Sequence, residues 1–586
     1  MPNFHSRSSL GDVLSQPHAR AVIEEIAPEV LESALAQPEA SFPLGPVLSI
    51  ILDPSDVRVQ VLLDRLFGLE DRTEHAVEPG PIAARLDYEG VEIARASAKA
   101  QLPQAATANH PAELVFSGPS HGNPFVDVEL TVRLQNGETT VEVGAFYDGA
   151  GRYVARFLPP AQGDWTFVTS ATARSLDGIS GRVPVAPSDA RGPVRVVDDF
   201  HFAYSDGTPF APLGTTAYAW THQPEALQEE TLKALEAAPF NKLRMALFPK
   251  DFLYNKNEPD RFVFPRDGEG WDTTRFDLDY FRHLEKRVAD LNALGVEADL
   301  ILFHPYDRWG FAQLGAAADD RYVRYVVRRL AAFPNVWWSL ANEYDLLPSK
   351  DSDDWDRIAG VIGENDHVGH PLSIHNWMEI WNYESAWATH CSIQFGEQLS
   401  ARVREWRNKW HKPVIIDECG YEGDIDQGWG FLPAKEEVRR IWDSVMAGGY
   451  ASHGETFYQP DDVLFWSKGG VLRGESPARI EFLKTVLEDS PAGRVDPLPS
   501  DFDAAHAGVD GSYVLIYFGV GQLAFRTIAI PRGMRARIDV IDTWNMTIES
   551  LPGEHTGAVR VDLPGRSYMA IRLRGATKPR LRELRT

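Results

Sequence analysis

The chain has 586 residues, 44% hydrophobic and 24% charged, ordinary proportions for soluble protein but too long for a single core. Its 58 basic and 84 acidic side chains give a net charge of −26, which repels nucleic acid and anionic lipid, both of which are bound through basic patches. No run approaches the roughly 20 apolar residues of a membrane span, and with Cys391 and Cys419 as its two cysteines the chain has neither a disulfide scaffold nor a thiolate metal cluster.

The first ten residues are polar and lack the apolar core of a secretory signal, so the expected location is cytoplasmic. Residues 1–78 read as a helical lead-in. Val13, Leu14, Val22, Ile23, Ile26, Val30 and Leu31 recur at three- and four-residue spacing in a run from Leu10 to Leu35, and Val57 to Leu69 offers a second, shorter helix. Over 79–199 the texture turns to β. Val126, Val128, Leu130 and Val132 alternate with other residues, as do Tyr153, Ala155 and Phe157, and Asp148-Gly149 marks a turn. A sandwich of about seven strands fits. Gly149-Ala150-Gly151 sits in that hairpin and opens no helix, so it is no nucleotide loop.

Over 200–490 short apolar strands alternate with amphipathic helices, predicting an α/β fold, a (β/α)8 barrel. Eight strands are expected near 211–217, 242–248, 297–303, 335–341, 371–375, 388–394, 413–417 and 449–455. Helical faces lie between them, such as Phe281, Leu284, Val288 and Leu291 ahead of Gly295. After a Pro-rich link near 490–500, residues 491–586 return to β texture, with strands expected at Tyr513–Phe518, Ala536–Ile541 and Tyr568–Leu573. A small C-terminal β-sandwich is the reading.

In such a barrel the chemistry lies where strands end, because only that rim is open and shaped by loops. The second strand runs out through Arg244, the third into His304-Pro-Tyr-Asp-Arg-Trp309, and the fourth into Asn342-Glu343. The fifth ends in His375-Asn376-Trp377, the sixth in Gln394-Phe395, and the seventh in Asp417-Glu418. Glu343 and Glu418 each follow an apolar strand with no intervening turn. Strand alternation puts Trp337, Ser339, Ala341 and Glu343 on one face, and Val414, Ile416 and Glu418 on one face. Fourth and seventh strands lie on opposite sides of an eight-stranded ring, so their terminal carboxylates can oppose each other. Glycoside cleavage needs such a pair.

At Asn342-Glu343 and Glu418 the barrel resembles clan A of the retaining glycoside hydrolases. The resemblance implies Glu343 as acid/base, Glu418 as nucleophile, Asn342 as a contact to the sugar 2-hydroxyl, and Arg244 as the arginine beside the nucleophile. Asn123-Pro-Phe125 with Phe146–Tyr153 and Gly163-Asp-Trp165 is similar to a sandwich of unknown function found ahead of such barrels. Ile541-Asp-Thr-Trp544 and Tyr568–Arg572 are similar to its C-terminal companion. The sequence departs from the clan pattern in two places. The tyrosine that many members carry on the sixth strand is replaced by Gln394-Phe395, and the tryptophan ending the eighth by Glu455-Thr-Phe-Tyr458.

His304, His375, Asn376 and Gln394 are expected sugar contacts by position, and Trp309, Trp377 and Trp429 are candidates to stack on sugar rings. Glu422, Asp424 and Asp345 compete with the two acids from neighbouring loop positions. No cofactor and no metal is expected, since His304, His375 and His390 stand alone on separate strands and no His-x-His occurs. The expected partner is a carbohydrate substrate, a small glycoside or oligosaccharide cut in exo fashion, with no nucleic acid and no membrane. A homo-oligomer is left open. Two rival functions are a metal-dependent barrel hydrolase and a non-catalytic carbohydrate-binding barrel.

Overall fold

In a computed structural model the described residues are 3–33, 42–52, 56–72, 80–268, 270–501 and 503–575. They form a mixed α/β fold of two compact units. The first unit comprises Met1–Pro193, Met245–Asn292 and Asp299–Trp381, and the second Val194–Arg244, Ala293–Ala298 and Asn382–Thr586. No helix among the described residues is long and apolar enough to cross a membrane.

The first unit opens with helices Leu10–Ser15 and Pro17–Ile26 and a 3-10 turn Pro28–Glu32, in place of the single run expected from Leu10. Pro17 and Pro28 explain the breaks: a proline lacks the N–H that would continue a helix but suits the first position of a new one. Leu35 lies outside the described residues. With helices Leu44–Ile51 and Val57–Phe67 these segments bury Leu10, Val13, Ile23, Leu48 and Leu62 around Leu346, and Tyr306 and Trp377 pack against that core.

Two mainly antiparallel sheets follow, ordered Lys99–Gln101, Ala112–Ser117, Arg152–Phe157, Phe146–Tyr147 and Ala106–Thr107, Ser180–Ala186, Gly163–Ala171, Leu130–Asn136, Thr139–Gly144. They share a core of Leu114, Phe116, Leu130, Val132, Trp165 and Val183. The expected strand through Val126 and Val128 begins only at Leu130. Pro124–Asp127 is a helical turn, because Asp127 accepts from the Asn123 N–H (2.7 Å), and Phe125 stands 5.1 Å from Tyr147 and 5.7 Å from Phe276. Buried Arg156 and Arg329 both reach Glu285 (2.9 and 2.6 Å), and Arg329 also reaches Asp148 (2.9 Å), which fastens this β layer to helices Leu278–Ala293 and Ala316–Leu330.

Parallel strands, buried along their length, occur in both units. In the first unit Val336–Ala341 pairs with Leu372–Ser373. In the second, Gly214–Thr216 pairs with Lys242–Arg244, and Val414–Glu418 lies between Cys391–Gln394 and Tyr450–Ala451. Continuous burial accounts for apolar stretches such as Val336–Trp338 and Val414–Ile416, and parallel pairing for the helices between successive strands, though among the described residues no helix lies between Leu372–Ser373 and Cys391–Gln394. The fifth, sixth and eighth strands are shorter than the apolar runs that flag them. Beyond Ser373, for instance, pairing survives only as single bonds such as His375 N–H to Ala341 O (3.1 Å).

The second unit ends in a six-stranded sheet, Asp496–Pro497, Ala505–Val509, Tyr513–Tyr517, Met569–Gly575, Ala536–Asp542 and Thr547–Ser550, with a core of Val514, Ile516, Ile538 and Ile571. The Pro-rich stretch near 490–500 is not wholly irregular: Asp496–Pro497 is a strand, and Asp496 accepts from His201 Nε2 (2.9 Å) and from Arg407. Cys391 and Cys419 are buried and unbridged.

Candidate active site

Lys242 and Arg244 stand two apart on one strand and therefore share a face. Both are fully buried, and each meets an acid from the strand Val414–Glu418. Lys242 Nζ is 2.9 Å from Asp417 Oδ1, and Arg244 Nη1 is 2.9 Å from Glu418 Oε1. Consecutive acids in a regular strand point to opposite faces, so simple alternation forbids this double match. A bulge permits it. Ile393 pairs with Ile416 and Gln394 with Glu418, which leaves Asp417 as the extra residue and re-aims the carboxylate after it. The expected alternation of Val414, Ile416 and Glu418 is corrected accordingly: the bulge, not the pleat, sets the direction of Glu418.

Asp417 is further held by Ser392 Oγ (2.6 Å) and Ser452 Oγ (2.9 Å), which satisfies a charge that would otherwise be costly to bury. Glu418 is 8% exposed. Tyr218 Oη donates to the same Oε1, and Arg244 Nη1 donates to Tyr218 Oη (3.2 Å). Arginine, tyrosine and carboxylate thus form a closed triangle whose donors favour the ionised acid. Gln394 sits beside Glu418 as its strand partner. Trp429 is edge-on to Tyr421 (5.8 Å between ring centres) and 4.7 Å from Trp466. Burial, with the Glu418 charge next in weight, pushes the Tyr421 phenol well up.

The first unit carries the other predicted residues. Glu343 is 5% exposed and takes a left-handed conformation (φ 52°, ψ 56°) as the capping residue just before the turn Tyr344–Leu346. The strand stops at Ala341, so its alternation does not extend to Glu343 as expected; the left-handed turn aims this side chain. Such a conformation costs a non-glycine residue about 1–3 kcal/mol and gathers at functional sites. Tyr306 Oη donates to Glu343 Oε2. The Tyr306 ring is itself held by Phe252 (4.5 Å), Phe42 (5.9 Å) and Lys250, whose Nζ lies 4.4 Å from the ring centre.

Asn342, His375 and Asn376 are buried around Glu343: Asn342 N–H bonds Phe303 O (2.9 Å), and Tyr344 N–H bonds His375 O (3.0 Å). Asp345 accepts from the N–H groups of Trp377, Met378 and Glu379 (2.6, 2.7 and 2.8 Å), so it anchors the Trp377 loop. His304 Nε2 bonds Phe248 O (3.1 Å). Trp309 points its Nε1 to Glu258 (3.2 Å) under Arg308, in a cluster of its own. Glu422 is occupied by backbone donors, Glu475 N–H at 2.8 Å and Ser476 N–H at 3.0 Å. Asp424 caps Tyr458 N–H (2.6 Å).

Sequence reading missed Tyr218, Tyr306 and the Lys242–Asp417 pair. Tyr306 lies inside the His304–Trp309 stretch already singled out, and Tyr218 follows the first strand by two residues. Reading that strand's end like the others would have found it.

Residues 198–466 match the family described as apiosidase-like, catalytic domain, and residues 106–172 and 502–574 match two domains of unknown function, DUF5060 and DUF5605. A solved structure from Bacteroides vulgatus, assigned as a glycoside hydrolase, is 37% identical with a TM-score of 0.77, over 81% of this chain and 100% of that one. The chain belongs to the glycoside hydrolases. A family 5 glycoside hydrolase from Bacteroides vulgatus is similar in fold alone, at 16% identity and a TM-score of 0.53, over 66% of this chain and 94% of that one. No curated protein matches the sequence. In this hydrolase the tyrosine beside Glu418 comes from the end of the first parallel strand and not from the sixth, where Gln394 stands instead.

Proposed function

We propose that this glycoside hydrolase works by retaining double displacement, with Glu418 as nucleophile and Glu343 as acid/base at the rim of a (β/α)8 barrel. The observation that carries the reading is the Arg244–Tyr218–Glu418 triangle: two donors on one oxygen keep the carboxylate ionised and oriented. Glu418 attacks the anomeric carbon while Glu343 gives its proton to the departing oxygen. The glycosyl ester on Glu418 then yields to water, from which Glu343 removes a proton. Asn342, next to Glu343, is assigned to the sugar 2-hydroxyl. His304, His375, Asn376 and Gln394 are assigned to sugar contacts, and Trp309, Trp377 and Trp429 to stacking on sugar rings. No cofactor enters this scheme.

The substrate class we propose is a small glycoside with a terminal pentose removed in exo fashion, an apioside by the family's description. The test is a panel of aryl glycosides, aryl apioside among them, followed by proton NMR during the first minutes. Hydrolysis with the initial product keeping the substrate's anomeric configuration supports the reading. An inverted initial product excludes it.

A further inference from the structure

Away from that site, the second unit buries three carboxylates side by side. Glu422 and Glu455 are register partners in the short parallel pair Glu422–Gly423 with Glu455–Thr456, and Glu437 stands in the first turn of helix Ala434–Met446. Their exposures are 3%, 1% and 0%. Glu455 accepts from Arg473 N–H (2.6 Å) and Gly474 N–H (2.8 Å), Glu422 from the first N–H groups of helix Ser476–Glu488, and Glu437 from Gly454 N–H (3.0 Å). Among the described residues no lysine or arginine side chain pairs with any of them. Three ionised carboxylates held by backbone N–H groups and one serine hydroxyl would leave a surplus of negative charge in a dry interior, a state that proteins avoid.

Two local details bear on what such a cluster can hold. Ser476 Oγ lies within hydrogen-bond reach of both Glu422 Oε2 and Glu437 Oε2, the latter at 2.7 Å, yet its single proton serves one acceptor. His453, fully buried and stacked on Phe240 (4.6 Å), bonds Thr215 Oγ1 through Nδ1 (2.9 Å), and its Nε2 has no hydrogen-bond partner. A ring nitrogen of His453 and carboxylate oxygens of Glu422 and Glu437 all lie within 4.8 Å of one another.

We propose that Glu422, Glu437 and His453 form a buried structural site for one divalent cation of the zinc class. One imidazole nitrogen with two carboxylate oxygens is a donor set that suits zinc and not calcium, which takes oxygen alone. A bound cation there would fasten the chain four residues after Glu418 to the start of helix Ala434–Met446 and to the end of the eighth strand. It would act on stability, with no part in bond cleavage.

The experiment is elemental analysis by mass spectrometry of untagged full-length protein, expressed in zinc-supplemented medium and purified without chelator. Thermal melts after dialysis against EDTA, and again after adding zinc chloride, accompany it. The proposal expects about one zinc per chain, a melting temperature several degrees lower after EDTA and restored by zinc, and loss of the metal in Glu437→Gln and His453→Gln. Less than a tenth of an equivalent in the wild type with no effect of zinc on melting overturns it, and means that the acids hold protons. Equal zinc in wild type and both variants overturns it as well. Should the variants fail to fold, metal content and the EDTA and zinc melts of the wild type decide.

Discussion

Arg244 Nη1 lies 2.9 Å from Glu418 Oε1, while two residues earlier on the same strand face Lys242 Nζ lies 2.9 Å from Asp417 Oδ1. Two cations at i and i+2 meet two acids at j and j+1, which requires the bulge at Asp417. The lower pair is wholly buried and therefore structural; the upper one, with Tyr218, holds the acid left at the strand's end. The position of Glu418 thus depends on the residue before it.

That dependence is open to test through stability. Lys242→Met removes the cation from the buried, charged Asp417 while Ser392 and Ser452 still donate to it, and should destabilise the protein by about 3–5 kcal/mol. Adding Asp417→Asn removes the stranded charge and should recover most of that loss. Chemical denaturation of the single and double variants measures both. Equal stability of the two would mean that the pair carries no buried charge.

Tyr218→Phe removes one donor from Glu418 and leaves Arg244 in place. Without the hydroxyl the ionised carboxylate is less favoured, so the acid limb of the kcat/KM profile should move to higher pH. At neutral pH kcat/KM should fall by about 10- to 100-fold. A rate loss with an unmoved acid limb would reduce Tyr218 to a packing role.

His390 supplies a prediction on pH and stability. Burial, reinforced by the Lys242 charge, lowers its pKa from an ordinary 6.5 to about 3. The folded state therefore binds fewer protons than the unfolded one between those values. Its contribution is complete above pH 6.5 and is lost as pH falls toward 3. From pH 6.5 to 5 the loss is about 2 kcal/mol. His390→Gln should shrink the drop in stability between pH 7 and pH 5 by roughly that amount, read from denaturation curves at both values. An undiminished drop would show that His390 titrates normally.

Much of this architecture is legible in the sequence, because a strand buried on both sides is mostly apolar, and its few polar residues need partners. Each of the eight flagged runs contains a strand, and the flanking regions show period-two burial, as in Leu130, Val132 and Leu134. What the sequence hides is register. The bulge at Asp417 exists only relative to Cys391–Gln394, and the left-handed turn at Glu343 has no glycine to announce it. Alternation therefore singled out the two glutamates on a premise that the backbone does not keep. Pro17 and Pro28 were legible as helix starts, but the spacing of apolar residues masked them. The tyrosines beside the two glutamates were hidden for another reason: their hydroxyls serve residues about 37 and 200 positions away in sequence.

Glu418 and Glu343 divide the labour of bond cleavage, and azide separates their roles. With an activated aryl glycoside, Glu343→Ala should form the glycosyl ester on Glu418 rapidly and hydrolyse it slowly, giving a burst. Azide entering the space left by Glu343 should then break the bond from the anomeric carbon to Glu418 and give a glycosyl azide of retained configuration. Glu418→Ala should lose nearly all turnover, and azide should instead displace the aryl group directly to give the inverted product. NMR of the two products decides between the assignments. Retained azide from Glu343→Ala with inverted azide from Glu418→Ala is the result predicted here. The reverse pairing, or full activity of Glu418→Ala, would contradict it.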